Sequence, residues 1–193
     1  RAHPVGKEKK IIFFGNMSKT RQIEKLLIGI EKTEGLHLTL MGRFLPSNFR
    51  ADIEECIMRL KLEEKVKIVQ ACSPEKIVLK CEQHDVGLVY FDTCYDDSHK
   101  MAHPTKIGTY LASGLAILTI KNVGICQFMD KMPEIIYFED NSQEEIDKKL
   151  MALDEMPTDT LEKPKRASLE FAKSYAWDEI GKNAYCSQFS FGW

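Results

Sequence analysis

The chain has 193 residues, enough for one well-filled domain. Its 44% hydrophobic and 29% charged residues are ordinary for a globular fold, and a formal net charge of −2 gives no bulk attraction to nucleic acid or to an anionic membrane. No apolar run approaches the ~20 residues that span a bilayer.

Arg1 to Lys10 is basic and polar and lacks the apolar core of a signal peptide. The chain does not begin with methionine, as expected of a processed chain or a piece of a longer one. Ile11 to Phe14 then reads as a first strand closed by Gly15, and Ile23, Leu26, Leu27 and Ile30 carry helical spacing. Leu36 to Met41 is a second strand ending at Gly42, and Ile53, Ile57 and Leu60 mark a second helix. Val66 to Val69 is a third strand. Ser73-Pro74-Glu75 is a helix start: cap, proline, then an acid in the first turn. Ile77, Val78 and Cys81 belong to that helix, and Val86 to Tyr90 is a fourth strand interrupted by Gly87.

Pro104 to Ser113 reads as a short helix capped by Gly114, running into a fifth strand, Ala116 to Ile120. Ile107, Tyr110 and Leu111 give it an apolar face, and Lys106, Thr109 and Ser113 are assigned to the polar face opposite. Ile135 to Phe138 is a sixth strand. Beyond residue 140 the pattern is purely helical. Ile146, Leu150 and Leu153 share a face, Met156-Pro157-Thr158 breaks it, and Pro164 marks the next start. Leu169, Ala172, Trp177, Ile180 and Ala184 suggest one or two closing helices. Apolar strands alternating with helices imply an α/β fold, a Rossmann-like, doubly wound parallel sheet of about six strands with closing C-terminal helices.

In such a sheet, ligands bind beyond the carboxyl ends of the strands. Four stretches converge there. Gly15 to Arg21 offers a tight turn with Lys19 and Arg21, but it is neither G-x-G-x-x-G nor a Walker loop. Its plain alternative is a polar loop that caps the next helix through Ser18. Gly42-Arg43-Phe44 reads as an ordinary surface turn. Gln70 and Ala71 head a loop whose backbone groups can read a base edge. The helix start at Pro104, Thr105 and Lys106 combines free N–H groups with a lysine and hydroxyls, which suits a phosphate.

Six cysteines, at 56, 72, 81, 94, 126 and 186, form no C-x-x-C pair, so free thiols in a reducing, cytoplasmic setting are expected. Cys94, His99 and His103, with Asp96 and Asp97 between them, cluster in sequence. Pro104 starts its helix only after both histidines, which spoils the i, i+4 geometry of a zinc pair, and no metal is expected. No G-x-S-x-G elbow is present.

Three segments together resemble the C-terminal, donor-binding domain of GT-B glycosyltransferases of the family 4 type. Ile12 to Ile23 looks like that family's strand followed by G-R-L-S-x-x-K-G. Pro104 to Ile117 is similar to its P-x-K-x-x-E-Y-L-A-x-G-x-P-V, and Ser174 to Ile180 resembles its Y-S-W-D-E-I. Asn16 stands where the family has a phosphate-binding arginine, and Arg21 where it has a lysine. Thr109 and Met101 occupy the places of its Glu-x7-Glu pair.

The resemblance implies one nucleotide-sugar-binding domain over residues 1–193, cut from a longer enzyme whose N-terminal acceptor-binding domain is not in this sequence. It implies a UDP-sugar donor, a hexose passed to a glycan or lipid-linked acceptor, and no metal cofactor. Asn16, Arg21, Thr105 and Lys106 would hold the diphosphate, Thr109 and Pro104 the ribose or sugar, and Gln70 and Ala71 the base. It leaves room for peripheral membrane association through the full-length enzyme and for homodimerisation of the isolated domain. The alternatives are a nucleotide-sugar epimerase domain and a non-catalytic nucleotide- or partner-binding module.

Overall fold

The computed structural model describes residues 4–95, 105–129 and 134–174. It contains a six-stranded, all-parallel sheet in the order β3-β2-β1-β4-β5-β6. The strands are β1 (Lys9–Met17), β2 (Leu36–Phe44), β3 (Val66–Gln70), β4 (Val86–Val89), β5 (Ala116–Ile120) and β6 (Ile136–Phe138). The helices are α1 (Ile23–Glu31), α2 (Phe49–Arg59), α3 (Pro74–Cys81), α4 (Lys106–Ala112), α5 (Val123–Met129), α6 (Gln143–Glu155) and α7 (Thr158–Ser174). This is the Rossmann-like doubly wound class, in which the chain reverses direction across the sheet between β1 and β4. Helices α1, α2 and α6 pack together, and α3, α4 and α7 form a second group. The apolar strands lie buried between them.

The seam between β1 and β4 is short. Only Ile11↔Val86 and Ile12↔Gly87 pair, although β1 continues to Met17. Above the last pair the Tyr110 hydroxyl takes over from the ladder. It accepts a hydrogen bond from the Phe14 N–H at 3.2 Å and shares its proton between the carbonyls of Ile12 and Leu88, each at 3.1 Å. Gly87 makes this possible: a Cβ there would lie 2.3–2.6 Å from the Tyr110 ring. The interruption in the fourth strand is thus the socket of an aromatic ring. Below the seam, buried Asp85 accepts from Lys165 Nζ of α7 and from the Lys10 N–H, both at 2.9 Å.

Helix α4 ends as its sequence predicts. Gly114 has φ 68°, its N–H reaches the Leu111 carbonyl, and the Leu115 N–H reaches Tyr110, which is a complete Schellman motif. The polar face assigned to α4 needs correction. Lys106 lies one turn before Tyr110, and residues at i and i+4 share a face, so its amine points towards β1. Ser113 is buried, with its hydroxyl on the Thr109 carbonyl at 2.8 Å. The exposed positions of the segment are Thr105, Gly108 and Ala112.

Other expectations shift as well. Pro164 does not start a helix; α7 begins at Thr158 and runs through it. The single backbone bond lost at proline is offset by burying Leu161, Pro164, Lys165 and Ser168. Ser18 does not cap α1. It bonds Thr20, and a 3₁₀ turn (Lys19–Arg21) precedes a left-handed Gln22 at the start of α1. Helix α5 was not anticipated, although Asn122 caps it through the Ile125 N–H at 2.7 Å. Strands β1 and β2 run three residues beyond the apolar runs that announced them, to Met17 and Phe44. Cys56 and Cys81 are buried, and all five described cysteines are free.

Tyr110→Phe leaves the Phe14 N–H without its buried acceptor and should cost about 1–3 kcal/mol in urea unfolding. Gly87→Ala, which meets the same ring with a methyl group, should cost at least about as much by overpacking. Lys165→Ala strands a buried carboxylate and should lower stability by about 3–5 kcal/mol in the same measurement.

Candidate functional site

Past Ile12↔Gly87 the carboxyl ends of β1 and β4 separate, and this opening is where an open α/β sheet accepts its ligand. Two cations enter it. Lys106, the first residue of α4, places Nζ 4.0 Å from the centroid of the Phe13 ring and 5.9 Å from that of Phe14. Arg21, in the turn after β1, lies over Phe91, just beyond β4, at 5.6 Å.

Neither cation has a carboxylate partner among the described residues. The Nε of Arg21 is buried without a hydrogen bond there. Burial lowers the Arg21 guanidinium below its ordinary value. Lys106 keeps some exposed surface, yet its amine is ringed by protein. Burial, and then the like charge of Arg21, push that amine down to about 7. The aromatic faces return part of the lost solvation as cation–π attraction. Two neighbouring like charges without a carboxylate partner among the described residues suit an anion, and perturbed charges in a cleft are a mark of a working site.

Beside the two cations is a cavity of about 230 Å³, lined by Phe14, Gly15, Asn16, Met41, Gly42, Arg43, Ala71, Cys72 and Ile77. It is smaller than the roughly 300–1,000 Å³ of whole-ligand pockets, so it suits one part of a ligand. Two glycines shape it. Gly15 has φ 120° and Gly42 has φ 154°, and a Cβ on Gly42 would sit 1.9 Å from the Gly15 carbonyl oxygen. Side chains are therefore disfavoured at this paired height, two residues before the β1–β2 ladder ends. Gly15 also joins the two features, since its missing Cβ position is 3.5 Å from Lys106 Nζ.

Of the residues singled out from sequence, Arg21 and Lys106 meet at the opening, and exposed Asn16 and Ala71 line the cavity. Gln70, the last residue of β3, is exposed and outside that lining. Thr105 is exposed at the start of α4 with no side-chain cap bond, and Thr109 is half-buried one turn further on. Helix α4 has only two turns, so the positive field at the opening rests on side-chain charge more than on its dipole. Pro104 lies outside the described residues, as do Asp96, Asp97, His99 and His103 of the weighed metal cluster. Arg43, read as ordinary surface, lines the cavity with Gly42 of the same stretch and Cys72 of the loop that Gln70 and Ala71 head, while Met41 and Ile77 are not singled out by the sequence. The signal that could have found them is a glycine at the same height on neighbouring strands, Gly15 beside Gly42.

A larger depression of about 520 Å³ runs along α7, lined by Glu134, Asp159, Glu162, Lys163, Arg166, Ala167 and Glu170. It lies near the amino end of β6, away from the strand ends that bind ligands, and Lys163 there is already paired with Glu134.

No family model matches the sequence, and no curated protein is significantly similar to it. The fold does have solved counterparts. HepE from Anabaena, solved with UDP and glucose, superposes with a TM-score of 0.71 at 15% identity over 94% of this chain and 48% of that one. A glycosyltransferase from Rickettsia africae gives 0.72 at 16% identity, over 94% and 48%. The C-terminal domain of a group 1 glycosyl transferase (LpcC) from Francisella tularensis gives 0.68 at 15%, over 86% of this chain and 85% of that domain. The chain thus spans about half the length of the longer proteins it resembles.

The charge of Lys106 has a consequence for stability. Below about pH 7 the amine is protonated in both folded and unfolded states, and the folded chain carries the full penalty of an enclosed, unpaired cation. Between pH 7 and the ordinary lysine range only the unfolded chain stays fully protonated, so stability rises with pH. Lys106→Met should therefore raise the thermal midpoint of the ligand-free chain by a few degrees at pH 6, and by progressively less towards pH 9, in differential scanning fluorimetry.

Strand order, all-parallel pairing and these superpositions agree: the chain has the fold of the C-terminal, Rossmann-like half of GT-B glycosyltransferases.

Proposed function

We propose that this chain binds a nucleotide-sugar, with UDP-sugar the favoured donor, as the donor half of a two-domain glycosyltransferase that moves a hexose to a glycan or lipid-linked acceptor. The observation that carries this reading is the pair of cations at the opening between β1 and β4, half-buried Arg21 and enclosed Lys106, neither with a carboxylate partner among the described residues. A diphosphate leaving group accumulates negative charge as the glycosidic bond breaks, and fixed cations there stabilise it without a metal. Asn16 and Thr105 add neutral hydrogen bonds to the phosphates. The base would lie in the adjoining cavity against backbone groups of Ala71, with exposed Gln70 at the end of β3 just outside its lining. Thr109 and Pro104 would contribute to the ribose or sugar site. Support comes from HepE, a protein of the same fold that has been solved with UDP and with UDP-glucose. A length of about half such chains fits a partner domain that binds the acceptor.

A second reading, a nucleotide-binding module without turnover, is favoured by threonine rather than glutamate at position 109. It differs in having no transfer activity when joined to its acceptor half, while binding UDP equally well.

Calorimetric titration with UDP tests the shared core of both readings. Lys106→Ala and Arg21→Ala should each weaken binding at least about tenfold, since a charge-assisted hydrogen bond is worth about 1.5–3 kcal/mol. An unchanged Kd in the double variant would remove the assigned site.

A further inference from the structure

Resting on that diphosphate site, we infer that this chain takes up one proton from solvent together with its diphosphate, and that the proton is held on Nζ of Lys106. The structure sets the amine between the Phe13 ring at 4.0 Å and the backbone of Gly15, with Phe14 at 5.9 Å. These surroundings solvate an ammonium poorly. Among the described residues, burial and the like charge of Arg21 are what act on the amine. From β1 come the uncharged Phe13, Phe14, Gly15 and Asn16. The 3₁₀ turn contributes exposed Lys19 and, bearing directly on the amine, Arg21. Beyond β4, Phe91 lies under Arg21, and the Asp92 carboxylate accepts from the Cys94 N–H. On α4 itself the Tyr110 hydroxyl is engaged with the β1 and β4 backbone. Across α4 on α3, the Cys81 thiol is buried and raised to about 12, so it stays neutral.

With no ligand bound, the amine titrates near pH 7. A bound diphosphate places negative charge within reach and returns it to the ammonium form, since an opposite charge favours the charged state. The neutral amine thus becomes –NH₃⁺ at the cost of one buffer proton, and the site changes from one net positive charge to two as it fills. By linkage, affinity falls about tenfold per pH unit well above pH 7 and is nearly flat well below it.

The test is calorimetry with UDP at pH 8, in two buffers of different ionisation enthalpy. The terminal phosphate of UDP, with a second pKa of about 6, is already ionised there and contributes no proton. The native chain should take up close to one proton per UDP bound, and Lys106→Arg should bind with none, because arginine does not deprotonate. A second measurement does not depend on that variant folding or binding. The Kd of the native chain should rise about tenfold per unit between pH 7.5 and 9, and Arg21→Gln, by removing the like charge, should shift the onset of that rise to higher pH. UDP binding with no proton uptake and no such slope overturns this inference while leaving the site assignment standing. No UDP binding by the native chain overturns the site assignment, and the inference with it.

Discussion

The structure depends on holding together a seam that is almost unpaired. Strands β1 and β4 lie at the centre of the sheet, yet two residue pairs make up their ladder. A parallel pair this short is weak by itself. Two side chains from distant parts of the sequence complete it. Above, the Tyr110 hydroxyl satisfies the Phe14 N–H and reaches carbonyls on both strands. Below, Asp85 joins the Lys10 amide to the Lys165 amine, while its own backbone bonds β1 and β5. Both pins are buried, so each bond is made in a low-dielectric interior where leaving it unmade is expensive.

That arrangement produces the site as a by-product of stability. Replacing ladder pairs with a phenol lets the strand ends part, which a continuous ladder would forbid. The same phenol fixes α4, and Lys106 sits one turn earlier on the same face, so its amine is carried into the gap. The residue that closes the core thereby positions the lysine that enters the opening. Gly87 is the enabling substitution, because any side chain there would evict the ring.

Much of this was legible in the sequence, and the part that was not has a common cause. The six strands declared themselves as apolar runs, because both faces of a parallel sheet are buried. The helix cap at Gly114 was readable because a Schellman motif is local. Lys106 reads from the sequence as a candidate phosphate ligand on the solvated face of its helix, whereas the structure turns its amine inward to Phe13. Residue type suggested a solvated side, whereas the cleft between β1 and β4 is a tertiary feature with no local signature. Pro164 failed for the same reason: its helix persists on the strength of what Leu161 and Lys165 bury against the sheet, which local propensity does not contain. Gly87 looked like a weak point in a strand and is a contact surface.

The two cations divide the work of attracting an anion. Arg21 keeps its charge at every physiological pH, so the opening is always positive and, under the proposed function, would steer an incoming diphosphate. A second permanent charge beside it would add repulsion in the empty state and further destabilise a seam that has only two ladder pairs. A lysine enclosed against Phe13 avoids this, because it can be neutral when the site is empty and charged when it is filled. An arginine at 106 would give a stronger resting field at the expense of the fold, and a methionine would give a quieter fold with a weaker seat. Lysine is the one side chain of the three whose charge can follow the ligand.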